Sequence, residues 1–393
     1  MKPKIALVTD SYAPVRNGVA VAVAQLRNYL IRSGYSVVVV APSGTGTRTK
    51  FLVPSCRVPG IHPYVATGLG FRSCLRALRQ FDPDIVHVHG WGPVSLLGIH
   101  FARRTATPLV VTWHTDVRAY FDYYRRFLPL LLGWQVVVRL VCNARLLTDH
   151  THPADRFTTA ILEVADLVIA PSEKVSDQLR KLAPDRPMTT LPVGVDPIPP
   201  ASAGHSVLSG INGAVLLYVG RIAPEKGIDL LLDAYEILRK RQVNATLVLV
   251  GDYRSSRGLR KRLRNAQGIV LTGELDRMEL ANIYTQADLF VFPSSTDTQG
   301  LVLHEAAHAG LPMVVVDSKL HSVVTDERNT TFCAPEPAAL ADALLRTFGN
   351  QEDRARSTEI ARAGKALASR RSVEHQCDEL SVLYLQLLRG DFE

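Results

Sequence analysis

The chain has 393 residues, of which 47% are hydrophobic and 21% are charged; this is typical of a globular protein and excludes a disordered or fibrous one. The length allows two or three domains, each with its own core. The five cysteines are odd in number and lack C-x-x-C spacing, which disfavours a disulfide framework or a structural zinc site and indicates a reducing cytoplasm.

The net charge of +8 is concentrated in the first half of the chain. Residues 1–200 carry 23 Lys and Arg against 13 Asp and Glu, whereas the remainder carries 22 against 24. A solvated surface is the plainest interpretation, and the alternatives are an anionic membrane surface or an anionic substrate. Nucleic acid is not expected as a partner, because no docking motif or basic run interleaved with aromatic residues accompanies the charge.

Neither a signal peptide nor a membrane span is expected. Lys2 and Lys4 lead straight into an apolar run, and the longest apolar segment, 128–142, contains Gln135 and Arg139 and is too short to cross a bilayer. We therefore expect a cytoplasmic protein, with a peripheral position at the inner membrane face as an additional option.

In the first half, short apolar runs alternate with segments of helical length. Helices are predicted over 18–33, ending at Gly34, and over 93–105. The polar residues of the runs fall at their C-terminal ends, which is typical of parallel strands covered on both faces. The predicted strands are KIALVTD (4–10), YSVVVVAP (35–42), DIVHVHG (84–90), PLVVTWHTD (108–116) and ADLVIAPS (165–172).

The pattern is interrupted over 189–213, where Pro, Gly and Ser are frequent, and this indicates a linker. It then restarts with AVLLYVGR (214–221), ATLVLVGD (245–252), IVLTGEL (269–275), DLFVFPS (288–294), MVVVDS (313–318) and TTFCAP (330–335). The sequence thus predicts an α/β protein with two doubly wound, Rossmann-like domains that face each other across a central cleft. The predicted domains are 1–195 and 196–370, followed by a C-terminal helix over 371–393 that can cross back to the first domain.

Ligands of such sheets lie beyond the carboxyl ends of the strands, so residues there are the site candidates. GRIAPEKG (220–227) follows a buried strand and carries Arg221 and Lys226 five positions apart. An Arg fork and a Lys point charge in one strand-to-helix turn can both reach a diphosphate. The alternative is a surface loop whose charges are merely solvated.

The segment TDTQGLVLHEAAHAGLP (296–312) supports two interpretations. HEAAH matches the H-E-x-x-H helix of zinc metalloproteases through His304 and His308. Alternatively, Gly300 opens a helix that receives a phosphate, Glu305 accepts hydrogen bonds from a ribose diol, and Asp297 accepts them from sugar hydroxyls. The protease is disfavoured because the predicted helix is short, lies between two buried strands and ends at Gly310.

Two weaker candidates come from the first half. Asn17 and Gly18 lie in the loop after the first strand, at the mouth of a helix, and form a second candidate phosphate cradle. His114 lies at the end of the strand PLVVTWHTD, where a structural and a functional role are about equally expected.

Taken together, these motifs resemble the retaining glycosyltransferases of family 4, which have the GT-B fold. The resemblance spans nearly the whole chain and rests on Asn17-Gly18-Val19, HVHG, WHTD, APSE (170–173), LPVGVD (191–196), GRIAPEKG and PSSTDTQGLVLHEA. It implies transfer of a sugar from a nucleotide donor with retention at the anomeric carbon. The chain departs from the family pattern at two places: the E-x7-E motif is D-x7-E here, which bears on the donor sugar, and GDYRSS (251–256) replaces a common G-x-G-P-type loop, which bears on contacts with the base or the acceptor.

The resemblance also implies the site residues. In the family, the Arg and Lys bind the donor diphosphate, the second Glu binds the ribose and the first Glu, here Asp297, binds the donor sugar. The predicted catalytic residues are His114, Arg221, Lys226 and Asp297. The predicted donor-binding residues are Gly18, Arg221, Lys226, Asp297, Gln299, Gly300, Leu301, Val302 and Glu305. No metal ion or other cofactor is expected, because the two cations neutralise the leaving diphosphate, and the nucleotide sugar is a co-substrate.

The predicted function is transfer of a hexosyl unit, with UDP-glucose or UDP-N-acetylglucosamine favoured because T-D-T-Q-G resembles those branches of the family. The acceptor is a hydroxyl of a lipid or of a small natural product such as an aminocyclitol. Residues 101–145 carry seven Arg and two Asp with interleaved aromatic residues, which suits an anionic bilayer or, alternatively, a buried pocket.

The alternative functions are a GDP-mannose-dependent α-mannosyltransferase, a nucleotide-sugar epimerase and a non-catalytic nucleotide-sugar-binding protein. A bacterial source, GC-rich because Arg outnumbers Lys 35 to 10, is also expected.

Overall fold

The computed structural model of the chain describes residues 2–12, 15, 17–43, 51–58, 62–66, 70–123, 141–142, 152–199, 208–253, 257–264, 266–320, 328–349 and 354–392. The chain divides into two compact units. Unit 1 comprises Met1–Gly194 and Val373–Glu393, and unit 2 comprises Val195–Ser372. No helix in the described ranges combines the length and the apolar character needed to cross a bilayer.

Unit 1 contains a seven-stranded, all-parallel sheet with the order β3-β2-β1-β6-β7-β8-β9. A separate antiparallel pair is formed by β4 and β5. The strands are β1 (Lys4–Val8), β2 (Ser36–Pro42), β3 (Leu52–Val53), β4 (Ser55–Val58), β5 (His62–Ala66), β6 (Ile85–Val88), β7 (Leu109–Thr112), β8 (Leu167–Ala170) and β9 (Met188–Thr190).

The helices of unit 1 cover both faces of this sheet. In the described part of unit 1 they are α1 (Gly18–Arg32), α2 (Phe71–Phe81), α3 (Pro93–Thr105), α4 (Val117–Tyr123), α5 (Pro153–Leu162) and α6 (Glu173–Arg180). Alternate residues of β1 point to opposite faces: Ile5 and Leu7 join one apolar cluster, and Ala6 and Val8 join the other. Because both faces are buried, β1 is apolar at consecutive positions, as expected of a central parallel strand.

The last helix of the chain, Val373–Arg389, belongs to unit 1. It packs against α1, and its buried face completes the apolar cluster that contains Ile5 and Leu7. The backbone N–H of Gly194 donates to Gln376 Oε1 at 2.9 Å, and the Tyr29 hydroxyl contacts Asp378.

Unit 2 contains a six-stranded, all-parallel sheet with the order β12-β11-β10-β13-β14-β15. The strands are β10 (Ala214–Val219), β11 (Ala245–Val250), β12 (Ile269–Gly273), β13 (Leu289–Phe292), β14 (Met313–Val315) and β15 (Thr330–Phe332). Its described helices are α7 (Ile228–Lys240), α8 (Arg257–Arg264), α9 (Arg277–Gln286), α10 (Leu301–Ala309), α11 (Pro337–Gly349) and α12 (Arg354–Ser369). The last helix of the chain, which belongs to unit 1, is α13 (Val373–Arg389). The order reverses between β10 and β13, so the loops after these two strands start side by side.

The prediction of an α/β fold with two doubly wound parallel sheets is confirmed. Every predicted strand is present, and the helix predicted over 93–105 has those bounds. The structure adds β3 and β9 at the two edges of the first sheet and the separate β4–β5 pair. β3 has only two residues and β9 (MTT) has only one apolar residue, so neither forms an apolar run, and β5 contains Pro63, which disfavours a strand.

Candidate functional site

The loop after β10 is pressed closely against the end of β13. Gly227 has φ +72°, and a Cβ atom there would lie 2.2 Å from the carbonyl oxygen of Pro293. Only glycine therefore permits this approach. The Thr296 hydroxyl donates to the carbonyl oxygen of Glu225 at 2.9 Å, which joins the same two loops a second time. The loop with the predicted cations is thereby held beside the segment that begins at Pro293.

The two predicted cations each contact a carboxylate in this loop pair. Lys226 Nζ donates to Asp297 Oδ1 at 2.7 Å, and the two side chains are 24% and 20% exposed. Arg221 forms an ion pair with Glu225, which is almost fully buried. Arg221, Lys226 and Asp297 are therefore brought to one edge of the sheet, as predicted from their strand-end positions. Glu225 was not predicted, although it directly precedes Lys226 in the motif.

Tyr218 lies beneath this group. Its hydroxyl donates to the carbonyl oxygen of Arg221 at 3.0 Å. Burial raises the pKa of Tyr218, and the nearby charge of Asp297 raises it further. The side chain is therefore a neutral hydrogen-bond donor that supports the backbone at Arg221.

Helix α10 begins directly after the Asp297 loop. Its N-cap is Gly300, with φ +74°, which has no side chain of its own to cap the first turn. The positive φ favours glycine at position 300, and a Cβ atom there would also lie 2.9 Å from Leu303 Cδ1 and 3.1 Å from Phe292 Cζ, so these side chains would have to shift. Leu301 and Val302 supply the first two backbone positions of a helix N-terminus, which attracts anions.

Glu305 lies one turn into α10 and is bound by a tyrosine from α9. The Tyr284 hydroxyl donates to Glu305 Oε2 at 2.8 Å. Burial raises the pKa of Glu305, whereas the Tyr284 hydrogen bond and the positive charge of Arg277 lower it. The carboxyl group thus has a fixed orientation before any ligand is bound.

The two histidines of HEAAH have different protein partners. His304 is fully buried, and its Nε2 lies 3.0 Å from the side-chain nitrogen of Gln299. His308 Nε2 lies 3.2 Å from the carbonyl oxygen of Val195. Burial lowers the pKa of His304 to about 3, so this ring is neutral. Gln299, a predicted donor-binding residue, therefore directs its amide towards His304 beneath the first turn of α10.

In unit 1, Asn17 and Gly18 lie at the start of α1. Asn17 is the N-cap, and its side-chain oxygen accepts from the Ala20 backbone N–H at 2.9 Å. Its side-chain nitrogen donates to Ser11 Oγ at 2.7 Å. Gly18 is the first helical residue and leaves the backbone here uncovered by a side chain of its own.

His114 belongs to a cluster of three histidines at the ends of β6 and β7, in which His87 and His89 are buried and His114 is half-buried. Its Nε2 lies 3.0 Å from His89 Nδ1, and the His89 ring is centred 4.0 Å from the His87 ring. His87 Nδ1 lies 2.6 Å from the Tyr384 hydroxyl, and His87 Nε2 lies 2.7 Å from the Thr112 hydroxyl. Within the part of the chain that the structure describes, His89 Nε2 is buried and has no hydrogen-bond partner.

All three rings are neutral near pH 7. Burial lowers the pKa of His87 to about 3 and that of His114 to about 4, and it also lowers the pKa of His89, which its histidine neighbours lower further. His114 can therefore donate or accept one hydrogen bond but is not a cation. His87 and His89 were not predicted as site residues. The sequence feature that could have identified them is a pair of polar residues two positions apart in an otherwise apolar strand.

Two protein-family profiles match the chain. The profile described as Glycosyltransferase Family 4 matches residues 16–198, and the profile described as Glycosyl transferases group 1 matches residues 213–350. Together they cover both units.

The chain is similar to curated proteins over most of their length. A GDP-mannose-dependent alpha-mannosyltransferase of Mycobacterium tuberculosis is 31% identical over 335 residues, covering 80% of this chain and 79% of the relative. An alpha-monoglucosyldiacylglycerol synthase of Acholeplasma laidlawii is 26% identical over 349 residues, covering 84% of each chain.

Among solved structures, the fold is similar to that of sucrose-phosphate synthase from Thermosynechococcus elongatus, with a TM-score of 0.73 and 20% identity over 99% of this chain and 100% of that one. Anabaena HepE in complex with UDP-glucose gives a TM-score of 0.68 and 18% identity over 98% of this chain and 99% of that one. At these identities the likeness concerns the fold alone.

Proposed function

We propose a specific reaction for this chain, which belongs to family 4 of the glycosyltransferases and has the GT-B fold. The proposed reaction is transfer of a hexosyl unit from a nucleotide sugar to a hydroxyl acceptor, with retention at the anomeric carbon. Unit 2 binds the donor, and unit 1 binds the acceptor.

One observation carries the proposal: Lys226 Nζ lies 2.7 Å from Asp297 Oδ1, beside the glycine-capped start of α10. The two residues come from strand ends 71 positions apart in the chain. A cation, a sugar-binding carboxylate and a helix N-terminus at one sheet edge suit the diphosphate and sugar of a nucleotide donor.

We assign the donor contacts from these positions. Arg221, Lys226 and the backbone of Gly300, Leu301 and Val302 hold the diphosphate, and Gln299 supports the helix start from below. Glu305 accepts hydrogen bonds from the ribose hydroxyls, and Asp297 accepts them from the donor sugar. From unit 1 we assign Gly18 to phosphate binding and His114 to a hydroxyl of the donor sugar or the acceptor.

The chemistry follows from where charge develops. As the glycosyl–phosphate bond breaks, positive charge appears on the sugar and negative charge on the leaving diphosphate, which Arg221, Lys226 and the start of α10 stabilise. The acceptor hydroxyl attacks from the same face and gives its proton to the leaving phosphate oxygen. The neutral ring of His114 suits a hydrogen bond to a hydroxyl. Two protein cations at the diphosphate are the reason to propose a reaction without a metal ion.

Two classes of nucleotide sugar, UDP-hexoses and GDP-mannose, are the candidate donors. We favour a UDP-hexose, glucose or N-acetylglucosamine, on the T-D-T-Q-G segment. The second candidate is GDP-mannose, which is favoured by the mannosyltransferase relative at 31% identity. Asp297 bears on this choice, because its side chain is one methylene shorter than Glu and reaches the sugar hydroxyls differently.

A screen of nucleotide-sugar turnover by the purified protein tests the donor and the reaction class together. Transfer that requires acceptor supports the proposal, whereas an epimer formed without acceptor indicates an epimerase. Binding without any turnover indicates a nucleotide-sugar-binding protein. The anomeric configuration of the product, measured by NMR, decides between retention and inversion.

For the acceptor, we propose a lipid reached by peripheral contact with the inner face of an anionic membrane. The segment 101–145 suggested this contact, but much of it lies outside the described residues, namely 124–140 and 143–145. A second observation supports it: five exposed arginines, with no acidic residue on their two helices. We call them the α2–α3 basic surface: Arg72, Arg76, Arg79, Arg103 and Arg104. Burial lowers the pKa of His100, and the charges of Arg104, Arg103 and Arg79 lower it further, so arginines of both helices lie close together.

Vesicle co-sedimentation tests this contact. We expect the protein to sediment with anionic but not with neutral vesicles, since each basic residue near the surface contributes about 1 kcal/mol. Replacing the three α2 arginines by Glu should abolish sedimentation. The control replaces three exposed cations of unit 2, Arg239, Lys240 and Lys261, by Glu. Equal loss in both variants, or no preference for anionic vesicles, would favour a small soluble acceptor.

A further inference from the structure

Tyr284 is a fully buried residue of α9 whose hydroxyl reaches the functional group of a different helix. Its oxygen lies 2.8 Å from Glu305 Oε2 and 3.4 Å from the carbonyl oxygen of Val302. The ring packs against Phe290 of β13, with the ring centroids 5.9 Å apart. The ring thus belongs to the core, whereas the hydroxyl is aimed at the first turns of α10.

The hydroxyl acts on Glu305 in two ways. It fixes one carboxylate oxygen, and it favours the ionised form, which burial opposes. Oε1 is not used in this contact. A hydrogen bond to one oxygen fixes the orientation of the carboxylate plane before the ligand binds. The carboxylate can then accept hydrogen bonds from two neighbouring hydroxyls without losing further side-chain freedom.

We propose that Tyr284 is a positioning residue for the donor nucleotide: its hydroxyl orients the Glu305 carboxylate for bidentate recognition of the ribose diol. The inference rests on the assignment of Glu305 to the ribose and goes beyond it by adding the residue that makes the carboxylate selective. Tyr284 itself touches no substrate. Without its hydroxyl, Glu305 would remain present but less well oriented, and the selectivity for a ribose over a 2′-deoxyribose would fall.

The experiment measures binding rather than turnover. UDP, GDP and their 2′-deoxy forms are titrated calorimetrically into the wild-type protein and into Tyr284→Phe, Glu305→Gln and Tyr235→Phe. Tyr235 is the matched control, since it is also buried in unit 2 but its hydroxyl donates to backbone carbonyl oxygens of Ala245 and Gly268. Circular dichroism checks the fold of each variant.

We expect the wild-type protein to prefer the ribonucleotide by about tenfold or more, as for a hydrogen bond to a charged group. Tyr284→Phe should reduce this preference to about threefold or less. Tyr235→Phe should retain it, even if its stability falls. Replacement of Tyr284 by 4-aminophenylalanine, which keeps a hydrogen-bond donor at the same reach, should restore part of the preference and provides a second measurement if Tyr284→Phe does not fold.

Two outcomes contradict the proposal in different ways. If Glu305→Gln loses the preference and Tyr284→Phe keeps it, the orienting role of Tyr284 is wrong while the ribose assignment stands. If Glu305→Gln keeps the preference, the ribose assignment is itself wrong, and the role of Tyr284 falls with it. A purely structural tyrosine would weaken the binding of ribo- and 2′-deoxynucleotides equally.

Discussion

Replacing Lys226 by Ala should slow the chemical step far more than it destabilises the protein. Lys226 stands where negative charge grows on the leaving diphosphate, so its loss acts on the transition state. Removal of one such preorganised donor typically lowers kcat by about a hundredfold or more, equivalent to about 3 kcal/mol. Because the interaction strengthens as the bond breaks, the effect should appear in kcat rather than in KM for the donor.

The stability cost can be judged separately from the structure. Lys226 and Asp297 are 24% and 20% exposed, so their ion pair is partly screened by solvent and is worth about 1 kcal/mol. Asp297→Asn breaks the same ion pair but leaves the lysine for the diphosphate. We therefore expect the two variants to have similar melting temperatures and Asp297→Asn to alter donor-sugar preference as well as rate.

The assay is steady-state kinetics at varied donor concentration, with circular dichroism to confirm folding. Lys240→Ala is the matched control, because this lysine of α7 pairs with Glu236 at 3.5 Å on an exposed surface. It should change neither kcat nor KM. A folded and fully active Lys226→Ala enzyme would refute the assignment of this loop to the diphosphate.

Other consequences can be measured with the same protein. Arg221→Ala should lower kcat as Lys226→Ala does, but with a larger loss of stability, because it leaves a nearly buried carboxylate without its cation. Glu305→Gln should raise KM for the donor with little change in kcat, whereas His308→Ala should leave donor binding nearly unchanged; an inactive His308→Ala enzyme would instead favour the zinc interpretation. Activity should survive EDTA. If EDTA abolishes activity and added manganese or zinc restores it, the reaction is not metal-independent. The pKa values of His87 and His114 are lowered by burial, so the unfolded chain binds protons that the folded chain does not. Stability should be fully present above about pH 6.5 and fall as the pH drops towards 4, by about 1.4 kcal/mol per pH unit for each histidine; urea unfolding at pH 7 and pH 5 measures this, and a pH-independent free energy of unfolding would contradict it.

The strands could be predicted from the sequence because parallel strands buried on both faces are apolar at consecutive positions, as in β1 and β10. The same pattern located Arg221 and Lys226, since polar residues directly after such a run lie at the ligand-binding edge. The pairing of Lys226 with Asp297 could not be predicted in the same way. It depends on β10 and β13 being neighbours in the sheet, which a list of strands in chain order does not contain.

The sequence did not predict the residues whose rings are buried in the core while their polar atoms form hydrogen bonds. Tyr284 lies with Ala281 and Ile283 on the buried side of α9, so its ring occupies a core position and its hydroxyl leaves no trace in the sequence pattern. His87 and His89 were concealed within a strand for a similar reason. The hydrogen-bond partners of His87 are Thr112 and Tyr384, which are 25 and 297 positions away in the chain.

The position of α13 has a consequence for biosynthesis. Unit 2 is a continuous stretch of chain, Val195–Ser372, and can fold as soon as it leaves the ribosome. Residues 1–194 of unit 1 are translated before unit 2 and α13 after it, so the apolar surface that Val373, Cys377 and Leu380 cover stays open throughout synthesis of unit 2. The hydroxyl of Tyr384 reaches His87 only after this helix docks. Unit 1, whose synthesis begins before that of unit 2, is therefore completed after it, and a nascent chain held before residue 373 would be a substrate for chaperones.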